Sequence, residues 1–142
     1  MTDRDESYII DLCDRVLSLK AKRQHRFDFL RGDSGIRLPV DAYYEINVDR
    51  RLVIEYREMQ HSEPVAFFDK RMTCSGCNRA EQRRRYDELR KKVLPQHGIR
   101  LVELDYCLFQ HSGRKRLKRD ATKDQAVIRE KLSEFLPYES RT

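Results

Sequence analysis

The run RLVIEYR at residues 51–57 constrains the fold of this chain more than any other stretch of its sequence. Apolar side chains occupy both odd and even positions of the run, and this density is typical of a strand that is buried on both faces. Helical periodicity appears at 5–20, at about 79–93 and again at about 121–136. The sequence therefore predicts an α/β domain, in which helices flank a sheet that contains this strand.

Three further strands are predicted from alternation and turn residues, at about 25–30, 36–44 and 97–106. The expected order is helix, three strands, helix, strand, helix. Strands joined by tight turns pair antiparallel, whereas the helix before the fourth strand allows that strand to lie parallel to a neighbour. We therefore expect a mixed sheet. Thr122 and Gln125 have the spacing of a capping box and predict the start of the last helix.

Composition limits the class of protein. The chain has 142 residues, which suits a single domain over 1–142. Lysine and arginine number 30 against 24 acidic residues, so the net charge is +6 and a polyanionic partner is favoured. No apolar stretch is long enough to span a membrane, and the N-terminal MTDRDESY lacks the apolar segment of a secretion signal. We therefore expect a cytoplasmic protein without membrane contact, whose four cysteines stay reduced or bind metal.

Two acidic residues on neighbouring predicted strands form the candidate reactive centre. Asp41 follows Pro39, which lacks an amide proton and is expected at an edge, a bulge or a break in strand pairing. Glu55 interrupts the apolar run of the next strand, where an unpaired carboxylate is costly to bury. Two acids on paired strands come close enough to share a divalent cation, and oxygen ligands favour Mg²⁺. Such an ion activates water for in-line attack on a phosphodiester.

A simpler alternative is that each of the two acids is paired with a cation from a nearby strand or turn. The arginines that the sequence offers for this are Arg37 or Arg51 for Asp41, and Arg57 or Arg100 for Glu55. In that case the two carboxylates are structural and bind no metal.

The order of these motifs resembles the PD-(D/E)xK nuclease superfamily, which has the restriction-endonuclease-like fold. The matching stretches are PVD at 39–41, IEYREMQH at 54–61, RYDELR at 85–90 and GIRLVELDY at 98–106. They are most similar to very-short-patch-repair-like nucleases and to nucleases of phages and mobile elements, and they cover about residues 27–107. The resemblance implies an αβββαβ core, an origin in a bacterium or phage, and a DNA endonuclease that uses Mg²⁺, with Mn²⁺ as a second possible ion.

The resemblance also implies roles for individual residues. Carried over by position, Asp41 and Glu55 are metal ligands, and Gln60 and His61 complete the reactive centre. Read without the resemblance, His61 is as compatible with an ordinary loop histidine.

Three positions depart from the pattern of the family. Relatives carry lysine two residues after the glutamate, where this chain has Arg57. Arginine stays protonated, so Arg57 is excluded as a general base, although it can hold the scissile phosphate. Glu58 replaces a glycine, and Arg90 replaces the lysine of the helix motif. A catalytically inactive nucleic-acid-binding module is therefore the alternative function.

Cys74 and Cys77 form a single CxxC pair within a long segment without clear periodicity. A zinc site needs further ligands, which His61, His97, His111 or a second chain would have to supply. The other interpretation is a pair of unligated loop thiols. If zinc binds, a zinc-stabilised interaction domain centred on this loop is a third candidate function.

Basic clusters lie on the predicted second helix and in a loop at 112–120. They are expected either to contact the phosphates of DNA or to form an ordinary solvated surface. The residues proposed for nucleic-acid binding are Arg83, Arg84, Arg90, Arg114, Lys115 and Arg116. A chain of this size is expected to hold one active site, so cleavage of both DNA strands would indicate a homodimer.

Overall fold

The computed structural model describes residues 4–58, 79–113 and 116–137 of the chain. The elements follow one another as α1 (Asp5–Leu17), β1 (Lys22–Arg31), β2 (Arg37–Asn47), β3 (Arg50–Arg57), α2 (Arg79–Gln96), β4 (Ile99–Asp105) and α3 (Ala121–Lys131). This is the order that the sequence predicts. The α/β class and the succession of helices and strands are therefore confirmed.

The four strands form one mixed sheet in the order β1-β2-β3-β4. Both β1 with β2 and β2 with β3 pair antiparallel, whereas β3 and β4 pair parallel. The strand β3 thus has a neighbour on each side, and Leu52, Val53 and Ile54 are fully buried. The expectation of a strand covered on both faces is confirmed.

Two apolar clusters cover the two faces of the sheet. One cluster joins α1 and α3 to the sheet and includes Ile9, Ile54 and Ile128. The other joins α2 to the opposite face and includes Val53 and Leu94. Complete burial of one such side chain contributes roughly 1.5–3 kcal/mol, so packing on the sheet is what keeps these helices folded. In the part of the chain that the structure describes, no helix has the length and apolar character needed to cross a membrane.

The middle of β2 is irregular around Pro39 and Asp41. The pairing of β1 with β2 shifts register next to Pro39, and the paired residues of β2 and β3 begin only at Ala42. Pro39 therefore lies at a break in pairing, as expected. The register places Gln24 of β1 opposite Asp41, and Gln24 has a φ of 52°. This left-handed conformation costs a non-glycine residue roughly 1–2 kcal/mol.

The start of α3 differs from the predicted capping box. The N-cap is Asp120 rather than Thr122, and its side chain accepts a hydrogen bond of 3.1 Å from the amide of Lys123. The buried carboxylate of Asp124 accepts hydrogen bonds from the amide of Asp120 and from the hydroxyl of Tyr8. The helix begins at Ala121, as expected from the predicted range, but these contacts put its N-cap two residues before Thr122, because they bury the hydrogen-bonded carboxylate of Asp124.

The end of α3 is earlier than predicted. The helix stops at Lys131, and a 3-10 turn at Ser133–Phe135 follows where a helix to about 136 was expected. The apolar spacing that predicted a longer helix is still buried, because Leu132, Phe135 and Leu136 belong to the cluster under α1 and α3. A tighter turn thus buries the same side chains as a continued helix.

Candidate functional site

Asp41 and Glu55 lie on adjacent strands, and the side chain of each accepts a hydrogen bond from the backbone of the other strand. The amide of Asp41 donates a hydrogen bond of 2.8 Å to Glu55 Oε2. The amide of Tyr56 donates one of 2.8 Å to Asp41 Oδ2. Each carboxylate thus accepts a hydrogen bond from the opposite strand at the place where the regular ladder between β2 and β3 ends. The irregular backbone at Asp41 is what brings the two acids together.

Glu55 is a buried carboxylate next to a second negative charge. It is only 3% exposed. Burial, followed by the charge of Asp41, raises the pKa of Glu55 from 4.5 to about 8, although the nearby Arg90 and Arg57 lower it. A further cation beside the two carboxylates would stabilise the ionised form of Glu55.

The structure adds Glu6, in the first turn of α1, to this pair. Its side chain hydrogen bonds to Asp41, and Gln24 Nε2 donates to Glu6 Oε2 at 3.3 Å. Burial, then the charge and hydrogen bond of Asp41, raise the pKa of Glu6 from 4.5 to about 7. The sequence carried no signal for this role, because acidic residues are common at helix starts for electrostatic reasons alone.

The donor set fits a hard cation. Within residues 4–58, 79–113 and 116–137, no group of three or more His, Cys, Asp or Glu side chains is arranged so that it encloses a metal ion. Mg²⁺ does not require such an enclosure, since it is usually bound through one or two carboxylates together with waters and substrate phosphates. Asp41 and Glu55 supply two carboxylates. A cation bound beside them would lower the raised pKa of Glu55 and favour its ionised form.

Arg57 lies on the same face of β3 as Glu55 and is held by two acids. Its Nη1 donates to Asp87 Oδ1 at 2.8 Å, and its Nε donates to Glu103 Oε2 at 3.3 Å. The side chain is only 13% exposed. Burial disfavours the charge, but the neighbouring carboxylates outweigh burial and raise the pKa of Arg57. Its Nη2 is buried without a hydrogen-bond partner in the described part of the chain.

Arg90 is directed toward the carboxylates rather than toward solvent. Its Nε lies 3.3 Å from Glu55 Oε1, and its Nη1 lies 3.0 Å from Asp87 Oδ1. The Nε and Nη2 atoms also donate to the carbonyl of Pro39 at 3.2 and 3.0 Å. One guanidinium of α2 therefore connects both strands of the candidate site. This cation was not among the partners that the sequence suggested for Glu55.

The other predicted site residues are not brought to the carboxylates by the described structure. Arg83 and Arg84 are exposed on α2, and Arg116 is exposed before α3. The predicted residues that lie outside the described ranges are Gln60, His61, Cys74, Cys77, Arg114 and Lys115. Their predicted roles, including the zinc site, stay predictions.

Comparison of the chain with family models, with curated proteins and with solved structures finds no match. The functional interpretation therefore depends on the chain's own motifs and on the geometry around Asp41 and Glu55.

Proposed function

We propose that this protein is a Mg²⁺-dependent DNA endonuclease with the restriction-endonuclease-like arrangement of its core. The observation that carries the proposal is the pair of carboxylates, Asp41 and Glu55, which accept hydrogen bonds from backbone amides across two adjacent strands. Beside them lies the Arg57 guanidinium, whose Nη2 is buried without a hydrogen-bond partner in the part of the chain that the structure describes. Phosphodiester hydrolysis needs acidic residues that bind the metal ion and a cationic side chain that binds the phosphate.

Each side chain has a distinct part in the proposed reaction. Asp41 and Glu55 would hold Mg²⁺, which supplies Lewis-acid polarisation of the phosphoryl oxygen and activation of a water. Arg57 binds a phosphate oxygen through Nη2, because that donor has no other acceptor in the described structure. Arg90 lowers the pKa of Glu55 and orients its carboxylate, and Glu6 orients Asp41 through its hydrogen bond. Mn²⁺ is the second ion that this oxygen donor set accepts.

A catalytically inactive nucleic-acid-binding module is the second candidate. It is favoured by the contacts of Arg90 and Arg57, which compensate the buried acids from within the protein. A site that is already neutralised by arginines folds without a metal. The third candidate, a zinc-stabilised interaction domain, depends on Cys74 and Cys77 outside the described residues, and no contact favours it.

Plasmid cleavage distinguishes the two leading candidates. Supercoiled DNA is incubated with the protein and Mg²⁺ or Mn²⁺, and the formation of nicked and linear product is measured. We expect the wild type to cleave and Asp41→Asn and Glu55→Gln to lose roughly 100-fold or more, since a metal supplies several kcal/mol of transition-state stabilisation. Linear product formed without a nicked intermediate would support a homodimer acting on both strands.

The matched control is Asp28→Asn, which removes one negative charge from an exposed position of β1. It is expected to cleave like the wild type. Undiminished cleavage by Asp41→Asn would place the chemistry elsewhere in the chain. Wild-type protein that binds DNA but does not cleave it with either ion would favour the inactive module.

A further inference from the structure

The strand β1 breaks its alternation of faces at Gln24. Arg23 donates a hydrogen bond to Asp11 of α1, so it lies on the face of the sheet that α1 covers. His25 stacks on Tyr43 with ring centres 5.0 Å apart, and Tyr43 belongs to the apolar cluster on the opposite face. Residues two apart on a regular strand share a face. The strand therefore switches faces at the residue between Arg23 and His25.

The strand β2 makes the same switch at Asp41. Val40 belongs to the apolar cluster under α2, whereas Ala42 belongs to the cluster under α1 and α3. The register of β1 with β2 places Gln24 opposite Asp41. The two strands therefore switch faces together, at one pair of facing residues.

The switch coincides with the end of the ladder between β2 and β3. The paired residues reach only as far as Ala42 with Ile54, and continuing the register would pair Asp41 with Glu55. At this position the amide of Asp41 donates to the side chain of Glu55, at 2.8 Å from Oε2. The contact between the two candidate metal ligands is therefore made where both β1 and β2 switch faces.

Gln24 has a backbone conformation that is unusual for its residue type. Its φ is 52°, which glycine adopts readily but which a Cβ atom disfavours. Such strain persists where the surrounding structure fixes it, and it is concentrated at functional sites. The side chain gives a reason for glutamine rather than glycine, because Nε2 donates a hydrogen bond of 3.3 Å to Glu6 Oε2. Glu6 in turn hydrogen bonds to Asp41.

We propose that Gln24 is a positioning residue of the candidate metal site. Its left-handed backbone sets the switch that directs Asp41 to Glu55, and its side-chain amide holds Glu6 against Asp41. In this role Gln24 contacts neither metal nor substrate and acts through the carboxylates. The proposal rests on the proposed function only in naming a divalent cation as the group that these carboxylates bind.

Amide hydrogen exchange, followed by NMR in EDTA, tests the positioning without metal or cleavage. Gln24→Gly keeps the left-handed φ accessible and removes the side-chain amide. We expect the amides of Asp41 and Tyr56 to exchange roughly 10-fold faster, the effect of losing one hydrogen bond to a charged group. The amide of Val53, in the regular part of β3, should keep its rate. Unchanged exchange at Asp41 and Tyr56 would overturn the positioning role.

Ser18→Gly is the matched control. Ser18 has a φ of 55° and lies at the C-terminal end of α1, whereas Glu6 lies in the first turn of that helix. The control shares the conformational effect of glycine but leaves the contact with Glu6 intact. Exchange at Asp41 and Tyr56 should therefore equal that of the wild type. Equal acceleration in the two glycine variants would overturn the role of the Gln24 side chain.

Gln24→Ala tests the role of the backbone. Alanine and glycine both lack the amide, but only alanine carries the Cβ atom that disfavours a positive φ. Gln24→Ala should therefore melt at a lower temperature than Gln24→Gly. The reverse order would overturn the left-handed conformation as part of the positioning.

Binding of Mn²⁺, measured from the electron paramagnetic resonance signal of the free ion, separates this inference from the proposed function. We expect the wild type to bind Mn²⁺ and Gln24→Gly to bind it roughly 10-fold more weakly, as for the loss of a group that orients metal ligands. Equal affinities would overturn the positioning role. A wild type that binds no Mn²⁺ would overturn the proposed metal site, and the exchange rates would still decide the role of Gln24.

Discussion

Glu55 is both a candidate metal ligand and a buried carboxylate whose ionisation destabilises the fold. Its position in an apolar strand was visible in the sequence, and so was the expected neighbour Asp41 across the strand pair. The cation that faces it was not visible, since Arg90 lies on a helix and more than thirty residues further along the chain. Glu6 was likewise invisible, because periodicity shows which helix face is apolar but not which acid approaches a strand.

The raised pKa of Glu55 predicts a fall in stability with rising pH when metal is removed. The folded state keeps a proton that the unfolded state has released, so the free energy of unfolding declines between about pH 5 and about pH 8. One pKa unit corresponds to about 1.4 kcal/mol, so the total is on the order of a few kcal/mol. Urea denaturation in EDTA across this range measures the decline.

Glu55→Gln is the matched variant for this measurement. It keeps an oxygen acceptor for the amide of Asp41 but cannot ionise. The difference in unfolding free energy between variant and wild type should therefore grow in favour of the variant as the pH rises. A constant difference across the range would show that Glu55 titrates with an ordinary pKa.

Individual elements were predicted well where hydrophobic periodicity sets them. The strand β3, the mixed sheet and the three helices follow from apolar spacing and from the Gly and Pro positions. The N-cap of α3 was predicted less well, because Asp120 and Thr122 are both good N-cap residues and the sequence alone does not choose between them. The choice is made by burial of Asp124 against Tyr8, which is a contact between the two ends of the chain.

The cap of α3 gives a prediction at this scale. Asp120→Ala should lower the free energy of unfolding by about 1 kcal/mol, since it removes the acceptor for the amide of Lys123. Thr122→Ala, at the position that the sequence favoured, is the control. Because Thr122 is exposed within the first turn, its substitution should change the unfolding free energy by less than about 0.5 kcal/mol. Thermal denaturation measures the stability of both variants. Equal losses of stability would mean that Thr122 also caps the helix, as the sequence predicted.

At the scale of the whole molecule, α2 is attached to the sheet by charges as well as by apolar packing. Asp87, Arg90 and Leu94 lie at spacings of three and four residues and form one face of the helix. Leu94 packs in the apolar cluster, whereas Asp87 binds Arg57 of β3 and Arg90 of its own helix. The sequence showed a helix rich in cations, but the charge pattern did not reveal that part of it turns inward. The buried ion pairs depend on the packing of α2 against β3, which the sequence pattern does not show.

This network predicts a large difference between two aspartates that both make ion pairs. Asp87→Ala removes the buried acceptor that Arg57 and Arg90 share, so each guanidinium loses one of its acceptors away from water. Arg57 keeps Glu103, and Arg90 keeps Glu55. The expected loss in the free energy of unfolding is about 3–5 kcal/mol. Asp11 pairs with Arg23, but its side chain is 53% exposed. Asp11→Ala should therefore cost less than about 1 kcal/mol, because solvent screens exposed pairs.

Urea denaturation of the two variants at the same pH and ionic strength measures the contrast. Added salt sharpens it, because the small effect of Asp11→Ala should shrink further while that of Asp87→Ala persists under screening. Comparable losses in the two variants would mean that water reaches Asp87 in solution. In that case Arg57 is not held in place by a network that excludes water. Its Nη2, which has no partner among the described residues, then lacks the fixed orientation that phosphate binding requires.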